Sequence, residues 1–227
     1  MSFAFPPPAT PGVAIVGRTE RFPVHRIYCV GRNYAAHARE MGKDPEREAP
    51  FFFTKPADAI VANGTQLPFP SRTADLHHEI ELVVAIGTGG ANIGISQAPS
   101  HVFGYAVGLD LTRRDLQAEA KDKGRPWDTA KAFDRSAPIS AITPAAAVNI
   151  DHAKIWLKVN GTPRQQGALA DMIWSVPEII AELSTLFELA PGDLIYTGTP
   201  SGVAAIRSSD RLEGGIDGLD TLTVTLL

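Results

Sequence analysis

The chain has 227 residues, and 21 Lys plus Arg against 25 Asp plus Glu leave a formal charge of −4. Hydrophobic residues make up 44% and charged residues 20%, which supports a buried core and excludes general disorder, while the slightly acidic balance excludes nucleic acid or an anionic membrane as the main partner. A lone cysteine, Cys29, excludes an intrachain disulfide framework and a multi-cysteine zinc site, and no apolar run approaches the ~18 residues of a membrane span, so the expectation is a soluble cytoplasmic protein.

Residues 1–25 read as an N-terminal proline-rich arm, uncharged up to Pro11 and broken by Pro6-Pro7-Pro8, unlike a secretory or transit peptide. Residues 26–227 read as a single domain of short apolar runs punctuated by Gly, Pro, Asn and Asp. Arg26 to Val30 is the first strand there. Asn33 is placed to cap a short helix over Tyr34 to Met41, closed by Gly42, with a charged loop from Lys43 to Pro50. Phe51 to Thr54, an extended edge over Thr65 to Pro70, Glu79 to Ile86 and Val102 to Leu111 follow as strands. Thr112 to Asp134 is polar, with a charged surface helix expected over Arg113 to Lys123. Ile155 to Val159 followed by Asn160-Gly161 predicts a hairpin whose second strand begins near Pro163. Ser175-Val176-Pro177-Glu178 is a capping box opening a helix with Val176, Ile179, Ile180, Leu183 and Phe187 on its apolar face. Leu194 to Thr197 and Thr221 to Leu227 are the last strands. Helices do not alternate with strands, which excludes a doubly wound or (β/α)₈ architecture and leaves a mostly β, α+β domain.

Glu79 and Glu81 lie two apart on the most apolar strand and leave from one face. Two carboxylates at the head of a core strand repel and lose hydration, so a proton, a basic partner or a cation must neutralise them. Asp110, at the end of the second apolar strand, is the same kind of anomaly. Three oxygen ligands on rigid strands suit Mg²⁺ or Mn²⁺; the alternative is an edge strand facing solvent and an aspartate that merely starts a turn. His77 and His78 read as surface residues or as neighbours of such a site, outside its ligand set. His37 and Glu40 share one helical face, where a carboxylate orienting an imidazole makes a general base, although a solvated charged helix explains the same residues. Arg113, Arg114, Gln117 and Lys131 fall within reach of whatever Asp110 binds, and Lys131, flanked by alanines and Phe133, is suited to an anion or a developing enolate. Thr197-Gly198-Thr199-Pro200-Ser201-Gly202 offers hydroxyls and backbone N–H groups without the Gly-Lys-Ser/Thr of a phosphate loop. Cys29, inside an apolar strand, reads as core rather than nucleophile.

In order along the chain, Gly31-Arg32-Asn33-Tyr34 leading to His37 and Glu40, Phe53-Thr54-Lys55-Pro56, His77-His78-Glu79-Ile80-Glu81-Leu82, Gly108 to Asp115, Lys123 to Trp127 with Lys131, Trp156 to Gly161 and Thr197 to Pro200 resemble the fumarylacetoacetate hydrolase family, in its small single-domain acylpyruvase and fumarylpyruvate hydrolase branch. The resemblance implies the family's mixed β-roll, a homodimer, and Mg²⁺ or Mn²⁺ held by Glu79, Glu81 and Asp110. It further implies a His37–Glu40 dyad on a lid over the substrate, and Arg32, Gln117, Lys131 and Thr199 on the substrate's oxygens, with Lys131 also in the chemistry. The reaction implied is hydrolysis of a C–C bond in a 2,4-dioxo acid such as fumarylpyruvate, giving pyruvate and a carboxylic acid, with aromatic-acid catabolism as its setting. The alternative is a decarboxylase or isomerase acting on oxaloacetate or a 2-oxo-dienoate on the same scaffold.

Overall fold

The strand Ile80–Ile86 is buried at every position, because it runs through the middle of a sheet covered on both faces. In a computed structural model, which describes residues 2–35 and 48–227, that sheet has the order Phe51–Lys55, Ile27–Gly31, Leu194–Tyr196, Ile80–Ile86, Val102–Leu109, Ala137–Ile139, Ile60–Ala62, with Thr143–Pro144 pairing on Val102–Leu109. Parallel pairs (Leu194–Tyr196 on Ile27–Gly31, Ala137–Ile139 on Ile60–Ala62) mix with antiparallel ones. A five-stranded sheet, Thr162–Ala168, Lys154–Val159, Arg211–Ile216, Leu222–Leu226, Gln66–Leu67, lies over one face. The fold is α+β and mostly β, a mixed roll.

Side-chain alternation sorts the sheet's two faces. Ile80, Leu82, Val84 and Ile86 enter the larger core with Ile155, Leu157, Leu212 and the helix Val176–Leu186. Val83 and Ala85 enter a second core with Cys29, Tyr196, Val13, Ile15 and Phe22. Val13 and Phe22 come from the paired strands Gly12–Ala14 and Arg21–Pro23, and Ile15 follows the first of them, so the chain before Arg26 contributes a packed hairpin, whereas Phe3 and Phe5 stay exposed.

Local chemistry explains most boundaries. Asn160 and Gly161, at φ +51° and +78°, make the two-residue turn that the right-handed strand twist favours. The Ser175 backbone N–H donates to Glu178 at 2.9 Å and its hydroxyl at 2.7 Å, fixing the start of Val176–Leu186. The expected helix over Tyr34 to Met41, and with it His37 and Glu40, lies outside the described residues beyond Ala35, as does most of the loop from Lys43 to Pro50. The edge over Thr65 to Pro70 pairs through Gln66–Leu67 alone, and the strand from Val102 ends at Leu109, one residue before Asp110. No described helix is long and apolar enough to cross a membrane.

Candidate active site

Strand register gathers the acids. Glu81 pairs with Gly108, and the Asp110 N–H donates to the Glu79 carbonyl at 2.9 Å, which extends the same ladder by one step. Glu79, Glu81, Gly108 and Asp110 therefore share one face, and their carboxylates converge, with one ligand oxygen from each acid within 4.8 Å of the others and all three residues buried. The edge-strand alternative fails, because Ile80–Ile86 is central. Gly108, on the same face, lets Val83 and Tyr196 pack against the backbone beside the triad, since a Cβ there would come within 2.5 Å of both.

Cations neutralise part of the cluster. Lys131 reaches Glu79 at 2.7 Å and Asp110 at 2.5 Å, Lys55 meets Asp110 at 2.8 Å, and Arg114 pairs with Glu79. Burial lowers the affinity of Lys131 for its proton, but Asp110 and Glu79 more than offset that, so it stays charged well above neutrality. No lysine or arginine among the described residues pairs with Glu81. It accepts the Gly198 N–H at 2.8 Å, and burial, then Asp110 and Glu79, push its carboxyl well above the usual range. Gly198 sits at φ +98° with Asn33 at 2.8 Å from any added Cβ, so glycine alone brings that N–H to the site.

The triad floors a cavity of about 640 Å³ walled by Arg32, Phe51, Phe53, Gln117, Trp127 and Thr199. Gln117 is buried and accepts from Arg114 at 2.6 Å. Arg32 closes the strand Ile27–Gly31 at φ +59°, its guanidinium 5.4 Å from the Phe51 ring. Thr199 accepts from the Gln165 amide at 2.8 Å. That amide's orientation is fixed at four points, since its oxygen accepts from Ile80 N–H and His78 Nδ1 and its nitrogen donates to Thr199 and the Pro200 carbonyl. The Thr199 hydroxyl proton is thereby left for the cavity.

Three expectations change. His78 is fully buried, with its ring held at Nδ1 by Gln165 and kept neutral by a pKa that burial lowers to about 4, so it is no surface residue. The charged surface helix expected over Arg113 to Lys123 forms over Arg114–Asp122 but buries Gln117 and Ala120. Arg113 turns away from Asp110, stacks 4.4 Å over Phe133 and donates to the Thr129 carbonyl. Sequence reasoning gave no role to Lys55 or Gln165. Lys55 closes a strand that opens with three phenylalanines, a signal that was visible; Gln165 sits in an exposed-looking hairpin and carried none.

Three buried carboxylates carried by the sheet at the floor of a cavity lined with cations could hold a divalent cation, and the donor set fits such an ion: three hard oxygens, one of them with no lysine or arginine partner among the described residues. Residues 26–227 match the family model described as fumarylacetoacetate (FAA) hydrolase C-terminal, and the chain belongs to that family. It is 45% identical over 183 residues to a fumarylpyruvate hydrolase of Ralstonia sp (81% of this chain, 95% of the relative). It is 46% identical over 194 residues to the mitochondrial oxaloacetate tautomerase of Rattus norvegicus (85% and 87%). A crystal structure of fumarylpyruvate hydrolase from Pseudomonas aeruginosa in complex with Mn²⁺ and pyruvate superposes with a TM-score of 0.97 at 55% identity, covering 100% of this chain and 99% of that one.

Proposed function

We propose that this chain is a metal-dependent hydrolase that cleaves a C–C bond of an acylpyruvate, fumarylpyruvate being the best-supported substrate, to pyruvate and a carboxylic acid. The observation that carries the reading is the convergence of Glu79, Glu81 and Asp110 at the floor of the cavity, with Lys131 beside them. These three acids would hold Mg²⁺ or Mn²⁺, which when bound supplies Lewis-acid polarisation of the substrate's oxygens. Lys131 keeps an ammonium where negative charge develops on the departing pyruvate fragment, which a buried site stabilises far more than water does. Thr199 donates its free hydroxyl proton and Gln117 its amide to substrate oxygens, and Arg32 adds charge at the wall. His37, oriented by Glu40, takes the proton from the attacking water. Residues 26–227 act as one catalytic domain, against which the arm of residues 1–25 packs the hairpin of Gly12–Ala14 and Arg21–Pro23, in a cytoplasmic homodimer serving aromatic-acid catabolism.

The oxaloacetate tautomerase relatives favour a second reading, isomerisation of oxaloacetate at the same acids. A panel of fumarylpyruvate, maleylpyruvate, acetylpyruvate and oxaloacetate with Mg²⁺ or Mn²⁺ separates the two. Pyruvate release with loss of the enol absorbance is expected for an acylpyruvate. Turnover of oxaloacetate with no cleavage of any acylpyruvate would overturn the hydrolase reading.

A further inference from the structure

The cavity has a second charged pole. Its described lining holds five basic side chains (Arg32, Arg114, Lys121, Arg125, Lys131) and no acid beyond the triad. Arg114 and Lys131 are consumed by Glu79 and Asp110. The remaining three gather on an aromatic wall. Phe51 and Trp127 meet edge to face at 5.4 Å between centroids, with Arg32 stacked 5.4 Å from the Phe51 ring and the Lys121 ammonium 5.0 Å from the Trp127 ring. Such contacts hold cations in place without neutralising them. Lys121 is an exposed residue, yet desolvation first, then the nearby Arg114 and Arg32, push its pKa down to about 8. The Arg125 side chain is exposed and lies 3.7 Å from Glu119, a carboxylate that already receives Lys123 at 2.7 Å.

We propose that Arg32, Lys121 and Arg125 form a second anion subsite, which takes a carboxylate at the far end of the substrate's acyl group and makes the enzyme selective for acylpyruvates that are dicarboxylates. This rests on the acylpyruvate reading above and deepens it. The triad end of the cavity recognises what all such substrates share, and the aromatic wall reads the end at which they differ. Phe53, Ala118 and Trp127 line the same cavity and supply apolar surface for the carbon chain between two charged ends.

The test compares fumarylpyruvate with an acylpyruvate of equal length ending in methyl, in the Mn²⁺-loaded wild type and in K121M, R125M and the double variant. Calorimetric binding of both compounds accompanies the kinetics. Wild type should prefer the carboxylate-ended compound, and the ratio of the two kcat/KM values should fall about tenfold in each single variant and about a hundredfold in the double, as loss of a charge-assisted contact implies. K121R should restore most of the preference. An unchanged ratio in the double variant, in a protein that still melts cooperatively at the wild-type temperature, overturns the subsite. If wild type cleaves neither compound, the hydrolase reading fails instead, and calorimetry still decides the subsite: a binding preference lost in the double variant upholds it, and equal affinities refute it.

Discussion

Replacing Glu81 with glutamine removes one charge from the triad while keeping its shape and an acceptor for the Gly198 N–H. In metal-free protein the change relieves a penalty, because burial, then Asp110 and Glu79, hold the carboxyl well above its ordinary range. At pH 7.5 the fold must either keep three carboxylates together or take up a proton. Proton uptake caps the cost: about three pH units above an ordinary glutamate, at about 1.4 kcal/mol each, is about 4 kcal/mol. Coulomb's law gives the same scale, since like charges within 4.8 Å of each other in an effective dielectric near 20 repel by at least about 3.5 kcal/mol, before Lys131 offsets part of it. A relief of about 1–4 kcal/mol, at roughly 2–4 °C per kcal/mol for a chain of this size, raises the Tm of the variant in EDTA by several degrees. Mn²⁺ should do the opposite. At a hundred times its Kd it stabilises wild type by about 2.7 kcal/mol, and a variant lacking one of three ligands should lose most of that gain. Thermal melts of both proteins in EDTA and in Mn²⁺ read the two signs separately. A variant less stable than wild type in EDTA, yet stabilised in full by Mn²⁺, would show that Glu81 is a structural acid and refute the metal site.

Four other outcomes follow from the same geometry. Lys55→Met removes one of the two lysines on buried Asp110 and leaves Lys131 in place, so it should cost about 1–3 kcal/mol in urea unfolding under EDTA, and an unchanged stability would contradict the pairing. Gln165→Leu leaves the Ile80 N–H, the His78 ring and the Pro200 carbonyl unpaired; it should cost about 2–4 kcal/mol by the same assay, with a lower kcat because Thr199 loses its fixed orientation. Cys29 is buried, and that burial, then Asp110, pushes its thiol well above the ordinary range; it should resist a thiol reagent at pH 8 in the native protein and react fully in denaturant, and rapid native labelling would show the strand to be open. His37→Ala should lower kcat about a hundredfold with the Mn²⁺-induced Tm shift intact, and an unchanged kcat would remove His37 from the reaction.

The triad was legible because its logic is one-dimensional. Alternation alone puts Glu79 and Glu81 on one face, and the absence of any polar residue between Leu82 and Ile86 marks that strand as central. That Asp110 joins them depends on the register of Glu81 against Gly108, which no local pattern encodes. Lys55 shows the same limit: it stands fifty-five residues from Asp110, and only the course of the strand Phe51–Lys55 along the sheet's edge brings its ammonium beneath the acids.

The helix Arg114–Asp122 was legible as a helix, but its reading as a surface element failed for a different reason, and the reason is informative. Judged by hydrophobic periodicity it has no buried face, so it reads as solvated. Yet Arg114, Gln117, Ala118 and Lys121 fall at i, i+3, i+4 and i+7, one stripe of the helix, and all four line the cavity. The stripe is polar because what it faces is polar, a floor of carboxylates and the space above it. Asp115, on the opposite side, anchors the helix by accepting the Thr73 hydroxyl at 2.7 Å and the Ala74 N–H at 2.9 Å, so the helix is held from behind by hydrogen bonds rather than by a greasy seam. A helical period in charged and amide residues, a few positions after an aspartate that follows a core strand, is therefore the signature of a site wall. Lys121, the last member of that stripe, lies against the Trp127 ring at the aromatic wall, one helix length from the acids that Arg114 touches at the other end. At 1.5 Å per residue, those seven positions span about 10 Å, which is enough to separate the two ends of a small extended substrate.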